Sequence, residues 1–232
     1  MQTATLNTES TGETTRETTM RAARRMAVAD CCRLFAACFY PPDKQMLSGE
    51  SVSEKLGASL QKACPCSAPL MPPLSKYLQE DDADALAVAY TQLFLGPVEL
   101  LAPPYASWYL DKSGRVMGPS SVAMEKLYQR AGLAIDGDFT ETPDHVAVVL
   151  EFVYYLLFRE TVAESIGNPD EKQEMLDIRE TFLQQYVLPW IPEFCEKIVS
   201  ADQHPFYTGL ARCLDAFLRC VFTDEIRNKE NP

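Results

Sequence analysis

The stretch DADALAVAYTQLF, residues 82–94, decides the fold. Its large apolar side chains, Leu86, Tyr90, Leu93 and Phe94, recur at intervals of three and four residues, the spacing that lines up one face of an α-helix. Gly96-Pro97 follows, a glycine and then a proline, as helix stops often read. Upstream, a helix is predicted from about Thr19 to Tyr40, with Leu34, Phe35, Cys38 and Phe39 on its stripe and Pro41-Pro42 at its end. A weaker helix covers residues 43–63, and Cys64 to Pro73, with four prolines in ten positions, reads as a linker. Downstream, Pro97 to Pro119 reads as an extended loop rich in aromatics. Helices are then predicted over Ser120–Ala131, Pro143–Ser165, Asp170–Val187, Pro189–Val199 and Pro205–Thr223. Thr142 is expected to cap the second of these with Pro143 in its first position, and Asn168-Pro169-Asp170 opens the third in the same way.

No alternating strand and no internal repeat interrupts this pattern. The expected architecture is all-α, a single compact domain of eight to nine helices over residues 20–225. The first 19 residues hold eight threonines and few large apolar groups, so they are expected to form a disordered tail, with a second short tail over 226–232.

Composition narrows the function. With 33 acidic and 21 basic residues in 232, the net charge is −12. Nucleic acid is a poor partner for such a surface, because affinity for phosphates comes from lysine and arginine. A cationic peptide suits it better. No run reaches the roughly 18 apolar residues of a membrane span, so no membrane insertion is expected. Arg24-Arg25 ahead of an apolar stretch has the opening of a twin-arginine export signal. However, Asp30 and Arg33 interrupt that stretch and no small-residue cleavage site follows, so it reads as the first core helix. With no secretory signal, a cytoplasmic, reducing setting with eight free cysteines is expected. Cys64-Pro65-Cys66 has no second close pair to complete a tetrahedral site, and the other cysteines fall in apolar helical patterns, where the thiol acts as a small hydrophobe. No metal or cofactor is expected.

Catalytic signatures are missing: there is no HExxH, GxSxG, GxxxxGK[ST] or GxGxxG. His145 and His204 are the only histidines. The dense polar cluster is Glu141-Thr142-Pro143-Asp144-His145. Asp144 is expected in the first turn of a helix, where free N–H groups and the dipole favour a carboxylate, and the same positive end opposes protonation of His145. Simple capping accounts for this much. From Ala131 to Phe158, however, there is no lysine or arginine, while Asp136, Asp138, Glu141, Asp144 and Glu151 fall within the stretch, interleaved with Val149, Phe152, Tyr155 and Leu156. An acidic rim beside an apolar groove complements a peptide that begins with arginines and turns hydrophobic.

Five ordered motifs, spanning about residues 20–222, resemble the TorD/DmsD family. They are Tyr90 to Pro97 with its Leu93-Phe94 and Gly96-Pro97, Pro103-Pro104-Tyr105-Ala106-Ser107-Trp108-Tyr109, Gly114 to Gly132 with Met117-Gly118-Pro119 and Tyr128, Glu141 to His145, and finally Leu188-Pro189-Trp190 with His204-Pro205-Phe206-Tyr207. Three departures stand out. Pro143 sits one place late in the Glu-Pro-x-Asp-His signature, Ala106 stands where many members carry Glu, and Val149 replaces a frequent Glu. The resemblance implies an all-helical chaperone, not an enzyme, that holds a molybdopterin oxidoreductase subunit or its twin-arginine leader until the cofactor is inserted. It implies leader recognition by Asp144, His145 and Glu141, with Asp144 accepting arginine. Tyr90, Leu93 and Phe94 would be the apolar wall, with Tyr109 nearby and Tyr105 and Trp108 as further contacts. Trp190, Phe206 and His204 read as structural. Relatives can exchange halves, so a homodimer is compatible. Two alternatives stay open: an assembly factor of the nitrate-reductase type whose client stays in the cytoplasm, and a small helical metal-dependent hydrolase using Glu141, Asp144 and His145.

Overall fold

Two long helices with apolar stripes, α1 (Leu6–Cys38) and α6 (Val146–Ser165), pack along each other and organise the rest. In this computed structural model the described residues are 6–42, 52–70, 83–96, 100–112, 116–134 and 141–223. Around the central pair stand α2 (Val52–Ala63) against α1, α3 (Ala83–Tyr90), the single-turn α4 (Ala106–Leu110) and α5 (Pro119–Arg130). Then come α7 (Pro169–Phe182) against α6, and the hairpin of α8 (Ile191–Ala201) and α9 (Pro205–Leu218). Three helices run on into a wider turn, α3 over Thr91–Leu95, α7 over Leu183–Val187 and α9 over Arg219–Thr223. The all-α expectation holds: the described residues contain nine α-helices and no strand. The expected tail over 226–232, the linker beyond Leu70, Asp82, Pro97, and the acidic Asp136 and Asp138 lie outside the described residues.

Several helix starts follow from single side chains. Asn168 accepts a hydrogen bond from the Glu171 N–H with Pro169 in the first position of α7, as expected. His204 does the same for α9, its Nδ1 accepting from the Phe206 N–H at 3.1 Å ahead of Pro205.

Three sequence expectations need correction. Helical backbone begins at Leu6 rather than near Thr19. Arg16 to Met20 on this early part of α1 are all exposed. The loop over Pro97–Pro119 contains α4, which a run of five residues is too short to announce by periodicity. Thirdly, α6 starts at Val146 with His145 as its cap, not at Pro143 with Thr142. The Pro143 carbonyl is occupied by the Tyr128 hydroxyl at 2.6 Å, and the Asp144 backbone pairs elsewhere, so the chain stays out of the helix until His145 has passed.

The core is aromatic. Phe35 packs on Phe217, and Phe39 lies between Phe94 and Phe194. Tyr128, Phe152 and Phe182 form a second group with ring centroids 4.4–5.9 Å apart. A buried ionic seam runs beside them. Glu160, buried on α6, takes the Arg179 guanidinium of α7 and lies 3.8 Å from Arg25 of α1. Arg25 also bonds Glu164 at 2.9 Å, and Arg24 Nε donates to the Ala63 carbonyl at 3.4 Å. Both members of the Arg24-Arg25 pair are thus fastened to neighbouring helices.

Gly118 precedes α5 and marks a close approach. The Asp111 carboxylate accepts from the Ser120 N–H and, at 3.0 Å, from the Ser120 hydroxyl, capping α5 from a distance. A Cβ on Gly118 would stand 2.0 Å from Asp111 Oδ2. Gly118→Ala should therefore turn Asp111 away and destabilise the protein by about 1–2 kcal/mol, the value of a lost cap. Urea unfolding of Gly118→Ala, Asp111→Ala and the double variant checks this. The two costs should not add, because both remove the same interaction.

Candidate functional site

The segment Pro103–Ala106 meets Asp144–Val146 in the one isolated antiparallel bridge among the described residues, Tyr105 with His145. The Ala106 N–H donates to the Asp144 carbonyl at 2.9 Å, and the Val146 N–H donates to the Pro104 carbonyl at 2.8 Å. Prolines suit the approach: each restricts the residue before it to extended backbone. The crossing holds the starts of α4 and α6 side by side.

Asp144 ties them together. Its Oδ2 accepts from the Ser107 N–H at 3.0 Å, so a carboxylate from one segment caps the helix begun by the other. The side chain is wholly buried, and Oδ1 has no hydrogen-bond partner among the described residues. The carboxylate that the resemblance implied as an arginine acceptor is held inside this structure as a helix cap. The helix it caps is α4, which the sequence pattern did not reveal.

His145 is buried beside it. Nδ1 accepts from the Ala147 N–H at 3.3 Å, capping α6, and the ring lies between Tyr40, stacked at 6.1 Å, and Tyr105, edge-on at 5.6 Å. Burial pushes its pKa down to about 4, against a smaller opposing pull from the Asp144 charge. The imidazole is neutral at physiological pH and serves structure.

What reaches the surface is a ring of half-buried groups. The Tyr40 hydroxyl, at the end of α1, donates to Glu151 Oε2 at 3.0 Å. Burial raises the Glu151 carboxyl pKa, and the Tyr40 hydrogen bond offsets only part of that. Glu141 sits close by. Burial raises the phenols of Tyr40, Tyr90 and Tyr105, and the Glu141 charge adds to the rise in all three. Among the described residues neither Glu141 nor Glu151 forms an ion pair with lysine or arginine. The structure therefore gathers Glu141, His145, Tyr90 and Tyr105 as the sequence suggested, and adds Tyr40 and Glu151. Tyr40 had one sequence signal, an aromatic directly before the Pro41-Pro42 stop. Glu151 had another, as an acid inside the stretch without lysine or arginine.

The expected apolar wall is core instead. Leu93 and Phe94 are fully enclosed, with Phe94 against Phe39, Phe194 and Tyr207. Tyr90 is 5% exposed and its hydroxyl donates to the Phe39 carbonyl. A stripe that faces a core and one that faces a groove have the same spacing, so periodicity could not separate them. Tyr109 stacks on buried Trp190 at 5.3 Å and donates to the Pro103 carbonyl at 2.9 Å, which anchors α4. Trp108 is half-buried on the same turn. On α3 and its extension the large exposed apolar side chains are Val88 and Leu95. As for a metal, the ligand atoms of Glu141, Asp144 and His145 do not converge. Among the described residues the one such grouping is Cys64, Cys66 and Cys220.

Comparison with known proteins agrees with this architecture. The family model described as nitrate reductase delta subunit matches residues 63–196. The chaperone protein TorD of Vibrio parahaemolyticus is 31% identical over 151 residues, which are 65% of this chain and 69% of that one. TorD of Aliivibrio fischeri is 31% identical over 141 residues, covering 61% and 64%. The Tat proofreading chaperone DmsD of Salmonella typhi is 25% identical over 180 residues, covering 78% and 81%. A redox enzyme maturation protein from Archaeoglobus fulgidus, known as a crystal structure, shares the fold with a TM-score of 0.52 at 24% identity, over 82% of this chain and 93% of its own.

Two measurements test the crossing. Asp144→Ala frees the Ser107 N–H and should cost about 1–3 kcal/mol in urea unfolding. For His145 the folded pKa of about 4 lies below the ordinary 6.5. Between these values the unfolded chain binds the proton and the folded chain does not, so stability falls as pH drops from 6.5 to 4. The loss reaches about 3 kcal/mol. His145→Asn, followed over the same pH range, should lose that much less than wild type.

Proposed function

Because this chain belongs to the nitrate reductase delta subunit family, in which TorD and DmsD are chaperones rather than enzymes, we propose that it binds the twin-arginine leader of a molybdopterin oxidoreductase subunit through the acidic, tyrosine-lined ring. It is a redox enzyme maturation chaperone by family. The finer reading, that it acts in the cytoplasm and holds the leader or the body of its client until the cofactor is inserted, is the proposal.

One observation carries it: Glu151 and Glu141 are half-buried carboxylates with no lysine or arginine partner among the described residues, in a protein of net charge −12. A half-buried carboxylate answered only by a tyrosine hydroxyl is poorly compensated, and an incoming guanidinium would supply two donors in a plane. The tyrosines around it offer ring faces to the same cation. His145 and Asp144 set the geometry from below without touching the ligand. Tyr105 and Trp108, on the rim, are the better candidates for side-chain contact, while Leu93 and Phe94 act through the core. Val88 and Leu95 offer exposed apolar side chains for the hydrophobic part of a leader. No described helix is long and apolar enough to cross a membrane. Membership in the nitrate reductase delta subunit family favours one second reading, an assembly factor whose client carries no export leader.

The test begins with affinity capture from the protein's own cells grown anaerobically. A molybdenum oxidoreductase catalytic subunit should co-purify, and whether it bears a twin-arginine leader separates the two readings. Calorimetry with that leader as a synthetic peptide should then show the Glu141→Gln/Glu151→Gln variant binding more weakly by about 1.5–3 kcal/mol, roughly tenfold or more. Equal binding by both proteins moves recognition off this ring. Recovery of no oxidoreductase subunit from cells that express one sinks the chaperone assignment to that client.

A further inference from the structure

The leader site leaves one cluster of reactive groups without a role. Cys64 and Cys66 come from the turn after α2, and Cys220 comes from the wide turn that follows α9, more than 150 residues further along the chain. Cys64 Sγ lies 3.0 Å from Cys66 Sγ, and Cys66 Sγ lies 3.0 Å from Cys220 Sγ. All three sulfurs fall within 4.8 Å of one another.

We propose that Cys64, Cys66 and Cys220 form a binding site for a thiophilic divalent metal ion, Zn(II), with a fourth coordination position open to solvent. Packing alone does not account for the cluster. Buried thiols act as small hydrophobes, and that describes Cys31, Cys32 and Cys213. Cys66 is exposed, yet its sulfur turns towards two others rather than to water. Local structure holds the arrangement. The Cys64 N–H donates to the Leu60 carbonyl and continues α2, while the buried Ser67 hydroxyl donates back to the Cys64 carbonyl at 2.9 Å, closing a tight turn around Pro65. Wider turns within helices shift a side chain off the regular face and often occur at functional positions. Here one carries Cys220.

The donor set selects the ion. Three sulfurs with no carboxylate or imidazole among them favour a soft, closed-shell cation over magnesium or calcium. Sulfurs each about 2.3 Å from a tetrahedral zinc stand about 3.8 Å apart, so a small spreading of the two short contacts seats the ion. Burial grades from Cys64, enclosed, through Cys220 to Cys66, exposed, which leaves one side for the ion to enter and for a solvent ligand. On binding, each cysteine still protonated gives its thiol proton to solvent and its sulfur lone pair to the metal. No electron transfer is involved. The ion would link the end of α2 to the wide turn that follows α9.

The experiment uses full-length, tag-free protein, reduced, stripped with chelator and titrated with Zn(II) against a chromophoric competitor, then with Co(II) for its spectrum. The expected result is one zinc per chain, with sulfur-to-cobalt charge transfer and the strong visible bands of tetrahedral cobalt. Cys66→Ser and Cys220→Ser should each weaken zinc binding on the order of 100-fold, while Cys32→Ala binds as wild type. Cys66 is exposed, so Cys66→Ser retains the fold, which circular dichroism verifies. Uptake well below one equivalent, or an affinity unchanged by Cys66→Ser, overturns the proposal.

Discussion

A buried carboxylate on a borrowed helix start is the contact that the rest of this architecture depends on. Asp144 precedes α6, but the N–H it accepts from belongs to Ser107 of α4. The two backbone bonds of the Tyr105–His145 bridge bring those groups within reach, and the carboxylate then neutralises the positive end of a helix too short to stand alone. Everything at the candidate site follows from this register. With Asp144 turned inward, His145 is placed under Tyr40 and Tyr105, and Glu141 and Glu151 are left facing outward at the edge.

The ionic seam of Arg25, Glu160, Glu164 and Arg179 does a related job for the central helices. A buried carboxylate such as Glu160 is costly to enclose unless its partners are in place, so the seam specifies how α1, α6 and α7 sit rather than simply adding stability. It also accounts for Arg24-Arg25. A pair that reads like the opening of an export signal is engaged by helix-to-helix bonds, Arg25 with glutamates of α6 and Arg24 with the Ala63 carbonyl.

Charge is distributed with the same economy. Arginines near the core are matched by glutamates, whereas at the ring Glu151 is answered by the Tyr40 hydroxyl and Glu141 has no lysine or arginine partner among the described residues. This asymmetry sets the ring apart from the rest of the acidic surface. Val149 is enclosed in the core, and Glu151, half a turn further along α6, supplies an acid at the ring.

The sequence by itself determined the helical class, because Leu86, Tyr90, Leu93 and Phe94, or Leu34, Phe35 and Phe39, sit at intervals only a helix can use. It also determined the starts of α7 and α9, since Asn168 and His204 act within three residues of themselves. The cluster at Glu141–His145 and its acidity were legible too. Tertiary structure alone decided which of those residues face out. Leu93 and Phe94 went to the core and Asp144 to a cap on a distant turn, because spacing fixes a side chain's neighbours on its own helix but not what lies opposite. Cys220 beside Cys66, and Tyr40 beside Glu151, are pairings across long loops. Such contacts depend on how helices pack, and no local pattern encodes them.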